Sequence, residues 1–151
     1  MQIVRKMKEE DVAAVAALEQ ATFADAWSAQ GIRDTLCQSQ AYILVAELDE
    51  KILGYCIVYH VLDEAEIARI AVDNSRRNQG VGHCLMDAVT EECKTNGITR
   101  ILLDVRESND SARSFYSHYG FKEDGIRKDF YECPREHAVL MSMPTVSTRN
   151  A

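Results

Sequence analysis

The run Ile67-Ala68-Arg69-Ile70-Ala71-Val72, followed closely by Ser75-Arg76-Arg77-Asn78-Gln79-Gly80-Val81-Gly82-His83, sets an apolar strand before an amphipathic helix, with a glycine-containing loop between them. Helical spacing places Val81, Leu85 and Val89 on one stripe beside Cys84 and Ala88, and Asn96-Gly97 closes the helix as a C-cap pair. At such a junction Gly80 and Gly82 let the backbone approach a ligand closely, while the first-turn N–H groups and the helix dipole favour negative charge. Arg76 and Arg77 add cations beside it. Two other phosphate loops are excluded by spacing: a dinucleotide fingerprint needs a third small residue where Leu85 stands, and a Walker loop needs Gly-Lys-Ser/Thr. From the residues alone, Arg77-x-x-Gly80-x-Gly82 is either a pyrophosphate cradle or a glycine-rich turn that merely joins strand to helix.

Outward from this junction the chain reads as one alternating series. Gln2 to Lys6 is a strand, and Glu9 to Phe23 a helix whose first turn carries Glu9, Glu10 and Asp11, acids that complement its dipole. Ser28 is the N-cap of a second helix with Ile32 and Leu36 at i, i+4. Ala41 to Leu48 and Ile52 to Val61 are strands around the turn Asp49-Glu50-Lys51, and Glu64 to Val72 is the strand before the glycine loop. After the long helix come the strand Arg100 to Val105, a helix from Asn109 to Gly120, and the strands Phe121 to Asp129 and His137 to Met143. The order β-α-α-β-β-β-α-β-α-β-β, with no internal repeat or low-complexity linker, predicts one mixed α/β domain over residues 1–143 and a polar, mobile tail over 144–151.

Composition narrows the function. The chain has 151 residues, 46% of them hydrophobic, enough for one ordinary core. Met1 to Glu10 lacks the apolar stretch of a signal peptide, and no apolar run reaches membrane-spanning length, so a cytoplasmic protein with no membrane association is expected. Five cysteines without a C-x-x-C pair read as reduced thiols, and four scattered histidines without i, i+4 pairing give no metal site. A net charge of −7 disfavours direct nucleic-acid binding and suits a cationic substrate, although acidity also serves solubility alone.

The loop Arg77-x-x-Gly80-x-Gly82 resembles the pyrophosphate loop of the GCN5-related N-acetyltransferase (GNAT) superfamily, and the element order matches that superfamily's fold, a single mixed, mostly antiparallel sheet flanked by about four helices. Further segments resemble its RimI-type ribosomal-protein-alanine N-acetyltransferases: Asp63-Glu64-Ala65-Glu66-Ile67, Leu103-Asp104-Val105-Arg106-Glu107-Ser108-Asn109, Phe115-Tyr116-x-x-Tyr119-Gly120-Phe121, Ile126-Arg127-Lys128-Asp129-Phe130-Tyr131, and Trp27-Ser28. The resemblance implies acetyl-coenzyme A as cosubstrate and, as peptide substrate, the N-terminal alanine of the eighteenth small-subunit ribosomal protein. It implies that the backbones of Ile70, Ala71 and Val72 meet the thioester and pantetheine. Arg77, Asn78, Gln79, Gly80, Val81, Gly82 and His83 would hold the pyrophosphate, and Asn109 would contact the cofactor. Tyr116 would be the proton donor, while Trp27, Asp63, Glu64, Glu66, Arg127 and Tyr131 would line a peptide slot. Where the RimI pattern has a glutamate as general base, this chain has Asp104, one methylene shorter; either a water extends its reach or Glu66 on the neighbouring strand takes over. An acetyltransferase for lysine or a small amine, and a non-catalytic coenzyme-A-binding module, are the alternative readings.

The chemistry suits these residue types. An α-amino group, with a pKa of about 7.7 to 8.0 against about 10.4 for lysine, is appreciably neutral near pH 7, so a carboxylate acting directly or through water suffices as base. A strand N–H near Ile70 or Ala71 would stabilise the developing oxyanion. Direct attack by the amine needs no cysteine nucleophile.

Overall fold

The computed structural model describes residues 2–77, 79–132 and 134–145. Its strands are β1 (Ile3–Lys6), β2 (Ala41–Leu48), β3 (Lys51–Val61), β4 (Glu64–Val72), β5 (Arg100–Arg106), β6 (Lys122–Glu132) and β7 (Arg135–Pro144), and its helices α1 (Val12–Thr22), α2 (Ala29–Thr35), α3 (Val81–Thr95) and α4 (Asp110–Tyr119). Glu9–Asp11 is a short 3-10 turn leading into α1, so the expected first helix has a tighter start. The seven strands form one sheet in the order β1-β2-β3-β4-β5-β7-β6. Only β4 and β5 run parallel; the α3 crossover between them requires it.

Alternation along the strands divides the core in two. Leu44, Ala46, Cys56 and Val58 face α3 and α4, meeting Leu85, Met86, Val89 and Tyr116, whereas Ile43, Val45, Tyr55 and Ile57 face α1 and α2, meeting Val12, Val15 and Ile32. The predicted stripe Val81-Leu85-Val89 is the buried face of α3, and each such side chain contributes about 1.5–3 kcal/mol by leaving water. Gly54 lies where β3 passes under α3, and a Cβ there would come within 2.8 Å of the Ala71 carbonyl oxygen and 3.2 Å of Val81. That close approach requires glycine.

Several boundaries differ from the sequence reading. The β2–β3 turn is two residues, Asp49-Glu50, both with positive φ as in a type I′ hairpin, and Lys51 already belongs to β3. Strands β6 and β7 extend until Glu132 pairs with Arg135, beyond the expected Asp129 and before the expected His137. Charged, exposed residues on β6 hide its period from the sequence. The expected tail included Pro144 and Thr145, but Pro144 ends β7 and Thr145 is buried, its N–H donating to the Thr99 carbonyl and its Oγ1 to that of Ile98. Residues 146–151 lie outside the described residues.

Two irregularities shape the centre of the sheet. The β4–β5 register runs from Glu64 opposite Arg100 to Ile67 opposite Leu103 and then ends, so Ile70 to Val72 have no partner on the β5 side. On its other edge β4 bulges: Val58 opposes Ile67 while Ile57 opposes Arg69, leaving Ala68 as the extra residue. The bulge shifts the alternation by one, so Ile67 and Ile70, three apart, both pack toward α3 and α4.

Candidate active site

The gap where β4 and β5 part is the organising feature. The Asp73 N–H donates to the Leu53 carbonyl at 2.7 Å. Antiparallel alternation then gives Ala71 the same orientation, toward β3, and turns the N–H and C=O of Ile70 and Val72 into the gap. Of the three residues expected to offer backbone groups there, Ile70 and Val72 do so, and Ala71 is committed to the ladder.

Beyond β4, the loop leads into α3 as a helix start without a side-chain cap: Gly80 is its N-cap, left-handed with φ 81°, and the first turn contains no acid. The Cys84 N–H already returns to the Gly80 carbonyl, and among the described residues the N–H groups of Val81, Gly82 and His83 at the first turn have no backbone acceptor. Such a terminus suits an anion. Arg77 and Gln79 are exposed beside it; Asn78 lies outside the described residues. A Cβ on Gly82 would sit 3.3 Å from the Phe115 ring and 3.9 Å from Val72, so this glycine serves the packing of α3 against α4 and β4. His83 Nδ1 is 3.2 Å from Asp87 Oδ2, and its ring lies edge-on to Tyr119, whose hydroxyl donates to Asp87 at 2.6 Å. Asn109 caps α4, its Oδ1 accepting from the Ala112 N–H at 3.2 Å.

On the face of α1 and α2, the strands β5, β7 and β6 carry no helix. Register places Glu66 level with Leu102, and Asp104 two residues along the same face of β5. Both carboxyl groups are raised above their ordinary values chiefly by burial; the charge of Asp104 raises Glu66 further, and Arg127 on β6 opposes both shifts. Tyr131, pushed up to about 12 by burial and then by Asp104, lies under the Arg106 guanidinium at 4.3 Å. Arg106 also donates to Glu136, which accepts the Ser108 N–H, tying the β6–β7 hairpin to the loop before α4.

Tyr116 comes from the opposite face. Its ring packs between Phe115 and Phe121, at centroid distances of 5.3 and 5.5 Å, and burial holds its hydroxyl well above the usual phenol range, with Cys56 and Tyr131 adding to the shift. Cys56 is the register partner of Ile70. Tyr116 therefore stands beneath the gap, with Tyr131, Asp104 and Glu66 above it. Its hydroxyl makes no hydrogen bond among the described residues, which leaves it available to a ligand.

The remaining sequence candidates divide. Trp27 is half-buried in the loop between α1 and α2, its backbone N–H donating to Glu19 at 2.9 Å. Asp63 and Glu64 stand apart, at the closed end of the β4–β5 pair, where the Asp63 carbonyl accepts from the Thr99 N–H and Glu64 pairs with Arg100 at 3.3 Å. Six strand residues, about 20 Å, separate Glu64 from Ile70. Sequence reasoning passed over Glu19, Arg69 and Asp25, which join in one network below the 23–27 loop. A signal for Glu19 existed: a carboxylate at the next position of the buried stripe Val12-Val15-Ala16 needs a buried partner, and Arg69 interrupts an otherwise apolar strand.

Residues 12–121 match the model of the acetyltransferase (GNAT) family. The chain is 31% identical over 147 residues to the [ribosomal protein bS18]-alanine N-acetyltransferase of Salmonella typhimurium, covering 95% of this chain and 98% of that one. The crystal structure of the ribosomal-protein-S18-alanine N-acetyltransferase from Escherichia coli superposes with a TM-score of 0.88 at 28% identity, over 100% of this chain and 99% of that one. The Ard1 structure from Thermoplasma volcanium gives 0.89 at 25% identity, covering 97% and 99%. With its gap, its uncapped helix and these likenesses, the chain belongs to the GNAT acetyltransferase family.

Proposed function

We propose that this chain acetylates the N-terminal α-amino group of a cytoplasmic protein, and that its substrate is the N-terminal alanine of ribosomal protein bS18. The observation that carries the reading is the gap between β4 and β5, which joins an anion-binding helix start to a pair of carboxylates on the open face of the sheet. The same substrate appears in the names of relatives that match this chain over nearly its whole length. Acetyl-coenzyme A fits the residues present: pyrophosphate requires backbone donors, which the first turn of α3 supplies, and pantetheine amides require strand partners, which Ile70 and Val72 supply.

When bound, acetyl-coenzyme A contributes an electrophilic thioester carbonyl. The Ile70 N–H, aimed into the gap, donates to that carbonyl oxygen and gains strength as negative charge grows on it. Asp104, with Glu66 beside it, accepts the proton released by the attacking amine; its raised pKa brings it closer to the amine and improves it as a base, provided that it is ionised at the working pH. Arg127 opposes the upward shift and so helps to keep the pair charged. Tyr116 serves the leaving sulfur as a hydrogen-bond donor: burial disfavours its phenolate, so full proton release from it is uphill against a thiol of about 8.5. Trp27 and Tyr131 flank the open face as walls for the peptide.

The test is incubation of purified bS18 bearing a free N-terminal alanine with the protein and acetyl-coenzyme A, followed by tandem mass spectrometry. A single acetyl group on the first residue is expected; acetyl on internal lysines alone refutes the proposal.

A further inference from the structure

Glu19 is 0% exposed, the most deeply buried carboxylate among the described residues, and it has no part in the chemistry above. A buried carboxylate is costly unless paired and hydrogen-bonded. Its partners come from three different segments: the Tyr55 hydroxyl of β3 donates to Oε1, the Trp27 backbone N–H to Oε2, and Arg69 Nε of β4 lies 3.1 Å from Oε2. The Arg69 guanidinium then reaches outward. It lies 4.2 Å above the Phe23 ring and 5.7 Å from that of Trp27, and its far nitrogen donates to the Asp25 carbonyl at 2.9 Å and to Asp25 Oδ1 at 3.1 Å.

One side chain thus touches Phe23, Asp25 and Trp27, every second residue of the loop between α1 and α2. Its backbone sits between the bulge residue Ala68 and Ile70, whose N–H faces the gap. Tyr131, across the open face, feels the charges of both Arg69 and Asp25. The two walls of the slot therefore converge on this guanidinium. Lysine could not replace it, because a point charge cannot lie over two rings while pairing with Glu19 at one end and donating to Asp25 at the other.

We propose that Arg69, seated on Glu19, is a positioning residue that locks the 23–27 loop to the strand carrying Ile70 and thereby sets the peptide slot at a fixed distance from the reacting carbonyl. The inference rests on the peptide acetyltransferase reading. A device that served stability alone would leave the loop, and peptide binding, indifferent to how the charge is presented.

Trp27 is the chain's single tryptophan, so its fluorescence reports on this loop directly. In Arg69→Lys, which keeps the charge beside Glu19 but loses the ring contacts and the donor to Asp25, acrylamide quenching of Trp27 should rise at least about twofold. KM for an alanine-headed peptide should rise about tenfold, the scale expected for one lost charge-assisted contact set, while the acetyl-coenzyme A Kd stays within about twofold. Asp25→Ala, a change at an exposed loop residue, should move quenching and KM the same way by a smaller factor. A folded Arg69→Lys with wild-type quenching and peptide KM overturns the proposal, as does an equal loss of acetyl-coenzyme A affinity. If Arg69→Lys does not fold, Asp25→Ala decides, and wild-type values there overturn it. Lack of peptide turnover by the wild-type protein would count against the proposed function, whereas unchanged variants of an active wild type would count against the lock alone.

Discussion

Asp104 and Glu66 bring catalysis and stability into opposition. Both are raised in the folded protein, so the folded state holds their protons more tightly than the unfolded chain does. Their favourable contribution is present in full below the ordinary values of 3.8 and 4.5 and is lost as pH rises through the raised ones. At neutral pH the charged pair therefore weakens the fold. Asp104→Asn should melt at or above the wild-type temperature at pH 7, the difference closing as pH falls toward 4, while kcat/KM drops by about 10²- to 10⁴-fold if Asp104 is the base. Glu66→Gln should shift stability with the same sign, and the larger kinetic loss identifies the base. Thermal melts at the two pH values, paired with steady-state rates on alanine-headed peptides, make the check; a lower melting temperature for Asp104→Asn at pH 7 would contradict the assignment of burial as the cause. Asp104 was readable in the sequence as a candidate carboxylate beside Glu66, but its coupling to Glu66 and Arg127 is a matter of register across four strands, which no local pattern encodes.

Among the elements, the α3 start shows how far sequence reading reaches. Apolar spacing located the helix, and its glycines pointed to an anion, yet the sequence assigned Gly80 and Gly82 the same task. They have different ones. Gly80 supplies the left-handed N-cap and has open space where a Cβ would be, whereas Gly82 meets the Phe115 ring. Gly80→Ala should destabilise by about 1 kcal/mol, from backbone strain alone. Gly82→Val should cost about 1–3 kcal/mol by forcing Phe115 and α4 away, with acetyl-coenzyme A affinity falling as a consequence. Thermal denaturation with and without acetyl-coenzyme A distinguishes the two; an unchanged melting temperature in Gly82→Val would show that the ring is not held against α3. The strand β4 was legible from end to end, but its bulge at Ala68 was not, because a bulge depends on the partner strand. That one residue decides which backbone groups face the gap.

The whole molecule is a sheet opened at one point, with the α3 start and Tyr116 on the α3 and α4 side and the carboxylates on the bare side. Element order revealed the fold because the helices and most strands announce themselves by apolar period, α2 and α4 also by the caps Ser28 and Asn109. The substrate slot was less legible: Asp63 and Glu64 looked like part of it and instead bind the closed end of β4 to Thr99 and Arg100. Through the gap, an amine that is neutral near pH 7 should react far more readily than one that must first lose a proton to a short aspartate. The decisive measurement compares kcat/KM for an alanine-headed peptide with a free α-amine against the same peptide, α-amine blocked, carrying one lysine. The account predicts preference for the α-amine by at least about 100-fold, the scale of the difference in pKa between the two amines; equal rates, or transfer to lysine alone, would contradict it.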